Sequence, residues 1–140
     1  YNSSPIAAES ALQALNEIKY TKRKIVVMGD MLELGKYSAE QHKALGKKVA
    51  DSAHVLFTVG VRARGIAEGA LASGMKEQNI FQYDEVTRAG QELQAYMQSG
   101  DVILIKASQG IRAERIVEEV MQFPEQASTT LVRQDTGWKS

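Results

Sequence analysis

The sequence predicts an α/β fold: an open sandwich with a mostly parallel sheet and helices on both faces. Three observations predict it. The hydrophobic period switches repeatedly between that of a helix and that of a strand along the 140 residues. The strand-like runs, such as Ile25-Val26-Val27-Met28 and Val102-Ile103-Leu104-Ile105, are continuously apolar, as expected of parallel strands covered on both faces. The connections between elements are short, which fits right-handed crossovers between parallel strands. In that sense the expected architecture is Rossmann-like.

The first element is a helix. Ser4 is placed to cap it, Pro5 suits a first helical position where a missing N–H costs nothing, and Ala8, Ala11, Leu12, Leu15 and Ile18 form one apolar stripe. The basic run Lys22-Arg23-Lys24 ends it, and residues 24–30 follow as a buried strand that breaks at Gly29 and Asp30. Ser38 and Gln41 have the spacing of a capping box, after which His42, Leu45, Val49 and Ala53 recur at helical spacing. A second strand covers residues 54–60, and the next helix carries Ala63, Ile66, Ala67, Ala70 and Leu71 and stops at Gly74. A short strand over residues 79–83 leads to Asp84 as the expected N-cap of a helix with Val86, Ala89, Leu93 and Met97 facing inward. Residues 101–106 form the most apolar strand, and residues 111–122 read as a last helix. Residues 1–124 are therefore expected to make one domain. Residues 125–140 are read as a tail in which Thr129-Thr130-Leu131-Val132 is a candidate edge strand.

Composition narrows the classes of function. Lys and Arg together number 17 and Asp and Glu 17, so no net field draws the chain to nucleic acid or to an anionic membrane. Cysteine is absent, which excludes a disulfide framework and zinc–thiolate sites and is compatible with a reducing compartment; cytoplasm is the expected location. No apolar run approaches the roughly 20 residues needed to span a bilayer, so no membrane insertion is expected. The first residue is Tyr1, and the chain is expected to begin inside a longer polypeptide.

Ligands of open α/β sheets sit beyond the carboxyl ends of the strands. Four polar segments fall there: Tyr1-Asn2, the loop from Gly29 and Asp30 to Gly35, Gly60 with Arg62 and Arg64, and residues 106–112. Asp30 and Glu33 are carboxylates able to hold an amine, a ribose or a metal-bound water, or they are ordinary loop residues. Met31, Leu32 and Leu34 read as cover for the core. No G-x-G-x-x-G and no G-x-x-x-x-G-K-[ST] sequence occurs, so neither standard nucleotide fingerprint is present. His42 shares a stripe with Leu45 and Val49, and is either a hydrogen-bonded core histidine or a site residue; His54 reads as structural. With two distant histidines and no cysteine, no transition-metal site is expected. Lys106 emerges from the most buried strand, Ser108 follows, and the next helix N-terminus offers N–H groups to an anion, so Lys106 either positions a carboxylate or phosphate or is a lysine snorkelling from a strand end. Arg62, Arg64 and Arg115 read mainly as solvated helix faces, whereas Arg112 reads as ligand-facing.

These residues carry a family resemblance. Tyr1-Asn2-Ser3-Ser4-Pro5 resembles the Tyr-Asn-x-x-Pro motif that opens the C-terminal domain of the Mur ligases. Val27-Met28-Gly29-Asp30-Met31-Leu32-Glu33-Leu34-Gly35, followed by His42, is similar to the Gly-Asp-Met-x-Glu-Leu-Gly…His signature of the members that add D-alanyl-D-alanine. Lys106-Ala107-Ser108-Gln109-Gly110-Ile111-Arg112-Ala113-Glu114 resembles their Lys-Gly-Ser-Arg-Gly-Met-Arg-Met-Glu segment, with Ala107 and Gln109 as departures. The chain has no Gly-Lys-Gly-His-Glu segment, which argues against members that add meso-diaminopimelate or lysine.

The resemblance implies a three-domain ligase that uses ATP and magnesium to form an acyl phosphate on the UDP-N-acetylmuramoyl-tripeptide, which the amine of D-alanyl-D-alanine then attacks. This chain would be the third domain, packed on a central domain that holds most of the nucleotide site. Tyr1 and Asn2 would lie near the nucleotide, and Asp30, Glu33, His42, Lys106, Ser108 and Arg112 would line or support the dipeptide side, with no residue of the chain assigned to catalysis and none to a metal. The competing reading is a non-catalytic α/β module that binds a small anion or a partner protein.

Overall fold

The computed structural model describes residues 5–19, 22–31 and 34–106 together with the backbone of residues 130–133. The elements run α1 (Pro5–Glu17), β1 (Arg23–Gly29), α2 (Ser38–Ser52), β2 (Val55–Val59), α3 (Arg64–Ala72), β3 (Ile80–Tyr83), α4 (Val86–Tyr96), β4 (Asp101–Lys106) and β5 (Thr130–Arg133). The strands form one sheet in the order β3-β2-β1-β4-β5, and every neighbouring pair is parallel. The fold is thus the expected Rossmann-like α/β sandwich, and the fifth strand is drawn from the segment read as a tail. Ser4 and residues 111–122, read as a cap and a last helix, lie outside the described residues.

Strand order and chain order together decide where the helices go. From β1 to β2 to β3 the chain moves across the sheet in one direction, so right-handed crossovers keep α2 and α3 on one face; from β3 it returns past β1 to β4, which puts α4 on the other. Two cores result. Val26, Met28, Leu56, Val102 and Leu104 pack with the stripes of α1, α2 and α3, while Ile25, Val27, Phe57, Ile103 and Ile105 pack with Ala89, Leu93 and Met97 of α4. β4 is buried along its whole length and β1 from Ile25 to Gly29, because each supplies alternate residues to both.

Several local expectations are corrected. Ser38 does not act as an N-cap: a 3-10 turn at Gly35–Tyr37 runs directly into α2, so Ser38 is already helical at φ −55 and ψ −50 and cannot turn its hydroxyl back to the helix start. Glu85, at φ −120 and ψ 137, rather than Asp84, is the N-cap residue of α4. Asp84 instead accepts a hydrogen bond from Arg64 at 2.6 Å. Leu71 is half-exposed rather than inward. α3 does end as its glycine suggests: Gly74 adopts φ +104, its N–H reaches Leu71 O at 3.1 Å and the Met75 N–H reaches Ala70 O at 3.0 Å, which closes a Schellman turn.

Candidate functional site at the sheet switch point

β1 and β4 are neighbours in the sheet, yet the chain leaves β1 for helices on one face and reaches β4 from a helix on the other. The crevice beyond their carboxyl ends is the topological switch point, where open α/β sheets bind ligands. Two of the segments singled out in the sequence leave the sheet there side by side. Met28 is in register with Lys106, and Asp30 follows two residues after Met28. Alternation from Val102 and Leu104 carries Lys106 to the face covered by α1, α2 and α3, where it is 3% exposed. Thr58 lies in the same row, in register with Met28, and its buried Oγ1 has no hydrogen-bond partner among the described residues.

Asp30 is 6% exposed. Its Oδ1 accepts the Ala63 N–H at 2.7 Å, and the Arg62 guanidinium stands 3.7 Å from Oδ2. Ala63 is the N-cap residue of α3 and offers no side chain to the helix start, so a carboxylate from the end of β1 satisfies an N–H that the local sequence leaves open. This approach requires Gly60: at φ +110 its position would place a Cβ 2.7 Å from the Asp30 carboxyl carbon.

His42 is fully buried on α2. Its Nδ1–H donates to the Ser38 carbonyl at 2.7 Å, and its Nε2 accepts the Met31 N–H at 2.9 Å, an arrangement that needs the neutral ring with the proton on Nδ1. Both ring nitrogens are engaged by the fold, so the ring is not directed at a ligand. His54 is structural as read: its Nδ1 accepts the Lys24 N–H at 2.9 Å at the far end of β1. Tyr1, Asn2, Glu33, Ser108 and Arg112 lie outside the described residues.

Beside this cluster, a groove of about 750 Å³ opens between the N-terminal ends of α2 and α3, lined by Lys36, Ser38, Lys43, Arg62, Arg64 and Gly65 among others. Arg62 was read as part of a solvated helix face; it sits instead in the β2–α3 turn, half-exposed and next to Asp30. Sequence reasoning also passed over the Asp30 to Ala63 bond. The signal available for it was a glycine at a strand end followed within three residues by a helix start that lacks a capping side chain. Among the described residues no group of three or more His, Cys, Asp or Glu is placed to hold a metal ion.

The family model described as Mur ligase, glutamate ligase domain matches residues 1–109. A UDP-N-acetylmuramoyl-tripeptide--D-alanyl-D-alanine ligase of Bacillus subtilis (strain 168) is 35% identical over 125 residues, which are 89% of this chain and 27% of that protein. Among solved structures, a MurF ligase from Thermotoga maritima in complex with ADP is similar with a TM-score of 0.70 at 28% identity, over 91% of this chain and 28% of that one. A MurF from Acinetobacter baumannii gives 0.73 at 27% identity, over 88% and 27%. The chain therefore spans about a quarter of the length of the relatives it matches.

Proposed function

This chain belongs to the Mur ligase family, whose glutamate ligase domain it matches, and we propose that it is the amino-acid-binding domain of a cytoplasmic ligase that joins D-alanyl-D-alanine to UDP-N-acetylmuramoyl-tripeptide in peptidoglycan synthesis. The observation that carries the proposal is the meeting of the Gly29-Asp30-Met31 and Lys106 segments at the β1/β4 switch point, since these are the segments through which the sequence resembles the D-alanyl-D-alanine-adding members. The names of the similar proteins support the same substrates.

ATP and magnesium belong to the reaction in this reading, but the described residues do not fit either group. The sequence has no phosphate-binding glycine loop, and no described cluster suits a metal. Both are assigned to the remainder of the longer protein, and this domain is assigned the dipeptide side. Lys106 supplies a cation for an anionic group of the substrates, where partial exclusion of water strengthens a charge-assisted contact. Asp30 and His42 shape the wall beside it. From the resemblance, Glu33, Ser108 and Arg112 complete that side, and Tyr1 and Asn2 approach the nucleotide.

The test is Lys106→Met in the full-length protein, chosen over alanine because the residue is buried and methionine keeps most of its volume. With saturating ATP and varied D-alanyl-D-alanine, loss of the ammonium should cost roughly 2–4 kcal/mol, about 30- to 1,000-fold in kcat/KM. Wild-type efficiency in a variant that melts like the parent would remove Lys106 from the site. Absence of D-alanyl-D-alanine ligation by the wild-type protein would remove the proposed function.

A further inference from the structure

We infer that His42 is a positioning residue for the dipeptide side of the site: it fixes the backbone that follows β1 through the Met31 N–H and, through that backbone, the Asp30 carboxylate. The inference rests on the function proposed above. β1 ends at Gly29, so Met31 has left the sheet ladder while remaining 1% exposed. A buried N–H without a partner is costly, and His42 Nε2, 2.9 Å away, supplies the partner. The ring cannot swing from that task, because Nδ1–H is held by Ser38 O one turn earlier on the same helix.

The helix that carries the ring is itself fixed. A Cβ at Gly46 would collide with the Ile66 carbonyl and come within 2.7 Å of Ala70 N, and one at Gly69 would collide with the Lys43 carbonyl, so α2 and α3 pack backbone to backbone. α3 in turn presents the Ala63 N–H to Asp30. Three connections thus converge on two adjacent residues: His42 from α2 holds Met31, Ala63 at the N-cap of α3 holds Asp30, and Arg62 in the β2–α3 turn stands beside that carboxylate. Few side chains fit the first of these places, because it needs an acceptor at full reach and a donor to its own helix. With the ring fully buried and both nitrogens occupied, His42 acts on ligand through the loop and not by contact.

Steady-state kinetics and amide hydrogen exchange on the full-length protein test this. His42→Leu keeps apolar volume but removes the acceptor, and should lower kcat/KM for D-alanyl-D-alanine about 10- to 100-fold, mainly through its KM, while the KM for ATP stays within about 2-fold. Exchange of amides in the segment 29–36 should quicken about 10-fold or more, with β4 unchanged. His42→Gln restores an oxygen near the place of Nε2 and should return both readouts to within about 3-fold of the parent. Unchanged exchange and unchanged dipeptide KM in His42→Leu would overturn the inference, as would failure of His42→Gln to protect the segment. If His42→Leu does not fold, His42→Gln is compared with His42→Asn, which is too short to reach Met31; equal exchange in the two overturns the inference. A wild-type protein that does not ligate the dipeptide defeats the functional reading, and the exchange data still decide whether His42 holds the loop.

Discussion

At the pole of the sheet opposite the switch point, Arg23 and Asp101 stand in register on β1 and β4. The guanidinium donates to both carboxylate oxygens, at 3.0 and 2.7 Å, and lies 4.4 Å over the Tyr96 ring. Asp101 also accepts the Gln98 N–H at 2.8 Å. The bond to Asp101 raises the Arg23 pKa above its usual range, outweighing the opposing effect of burial. A cation whose folded pKa is raised contributes stability at every pH below its unfolded value and loses it only as pH rises through the folded one, so the arginine side of this pair persists through ordinary alkaline buffers. Asp101→Asn removes the carboxylate charge opposite the guanidinium and should cost about 3 kcal/mol, read as a lower denaturant midpoint at constant slope. Thr58 presents the opposite case. Its buried hydroxyl has no partner among the described residues, so Thr58→Val should raise stability by about 1 kcal/mol; a loss would mean that the hydroxyl has a role in the folded protein.

At the scale of elements, the α2/α3 contact is the most constrained. Gly46 and Gly69 let the helices approach until a methyl group would meet main chain, 2.7 Å from Ala70 N and 2.9 Å from the Gly69 Cα in the case of Gly46. Alanine favours a helix over glycine by about 1 kcal/mol. The collision is with backbone and can be relieved only by parting the helices, so Gly46→Ala should nonetheless destabilise the protein by about 2 kcal/mol or more in a denaturant melt. A variant at least as stable as the parent would show that the helices separate freely. The apolar spacing of α2 and α3 was legible because a buried stripe repeats with the helix period. Their closeness was not, since glycines at 46, 65 and 69 look like weak points in each helix until the two are brought together.

For the whole molecule, the sheet order makes one crevice and fixes which strand ends border it. Lys106 and the Gly29–Met31 backbone border that crevice from neighbouring strands, while the sequence supplies no glycine loop for phosphates. The 140-residue chain has two covered sheet faces and should fold by itself, yet calorimetric titration with ATP should show no binding in the micromolar range. Micromolar affinity would relocate the nucleotide site onto this domain.

The sequence by itself determined the order and type of the described elements and the parallel character of the sheet, because periodicity and continuous apolar runs are local signals that burial stamps on neighbouring residues. It also carried the family, through short motifs whose spacing survives. The tertiary structure alone decided that β4 lies beside β1, that Asp30 caps a helix more than 30 residues further on, with |i−j| = 33, and that His42 spends both nitrogens on the fold. The physical reason is that a hydrogen bond or an ion pair between distant segments leaves no periodic trace in either. A carboxylate that will hold an N–H of α3 and one that will hold a substrate amine are the same residue in the sequence, and only the partner that packing delivers to it tells them apart.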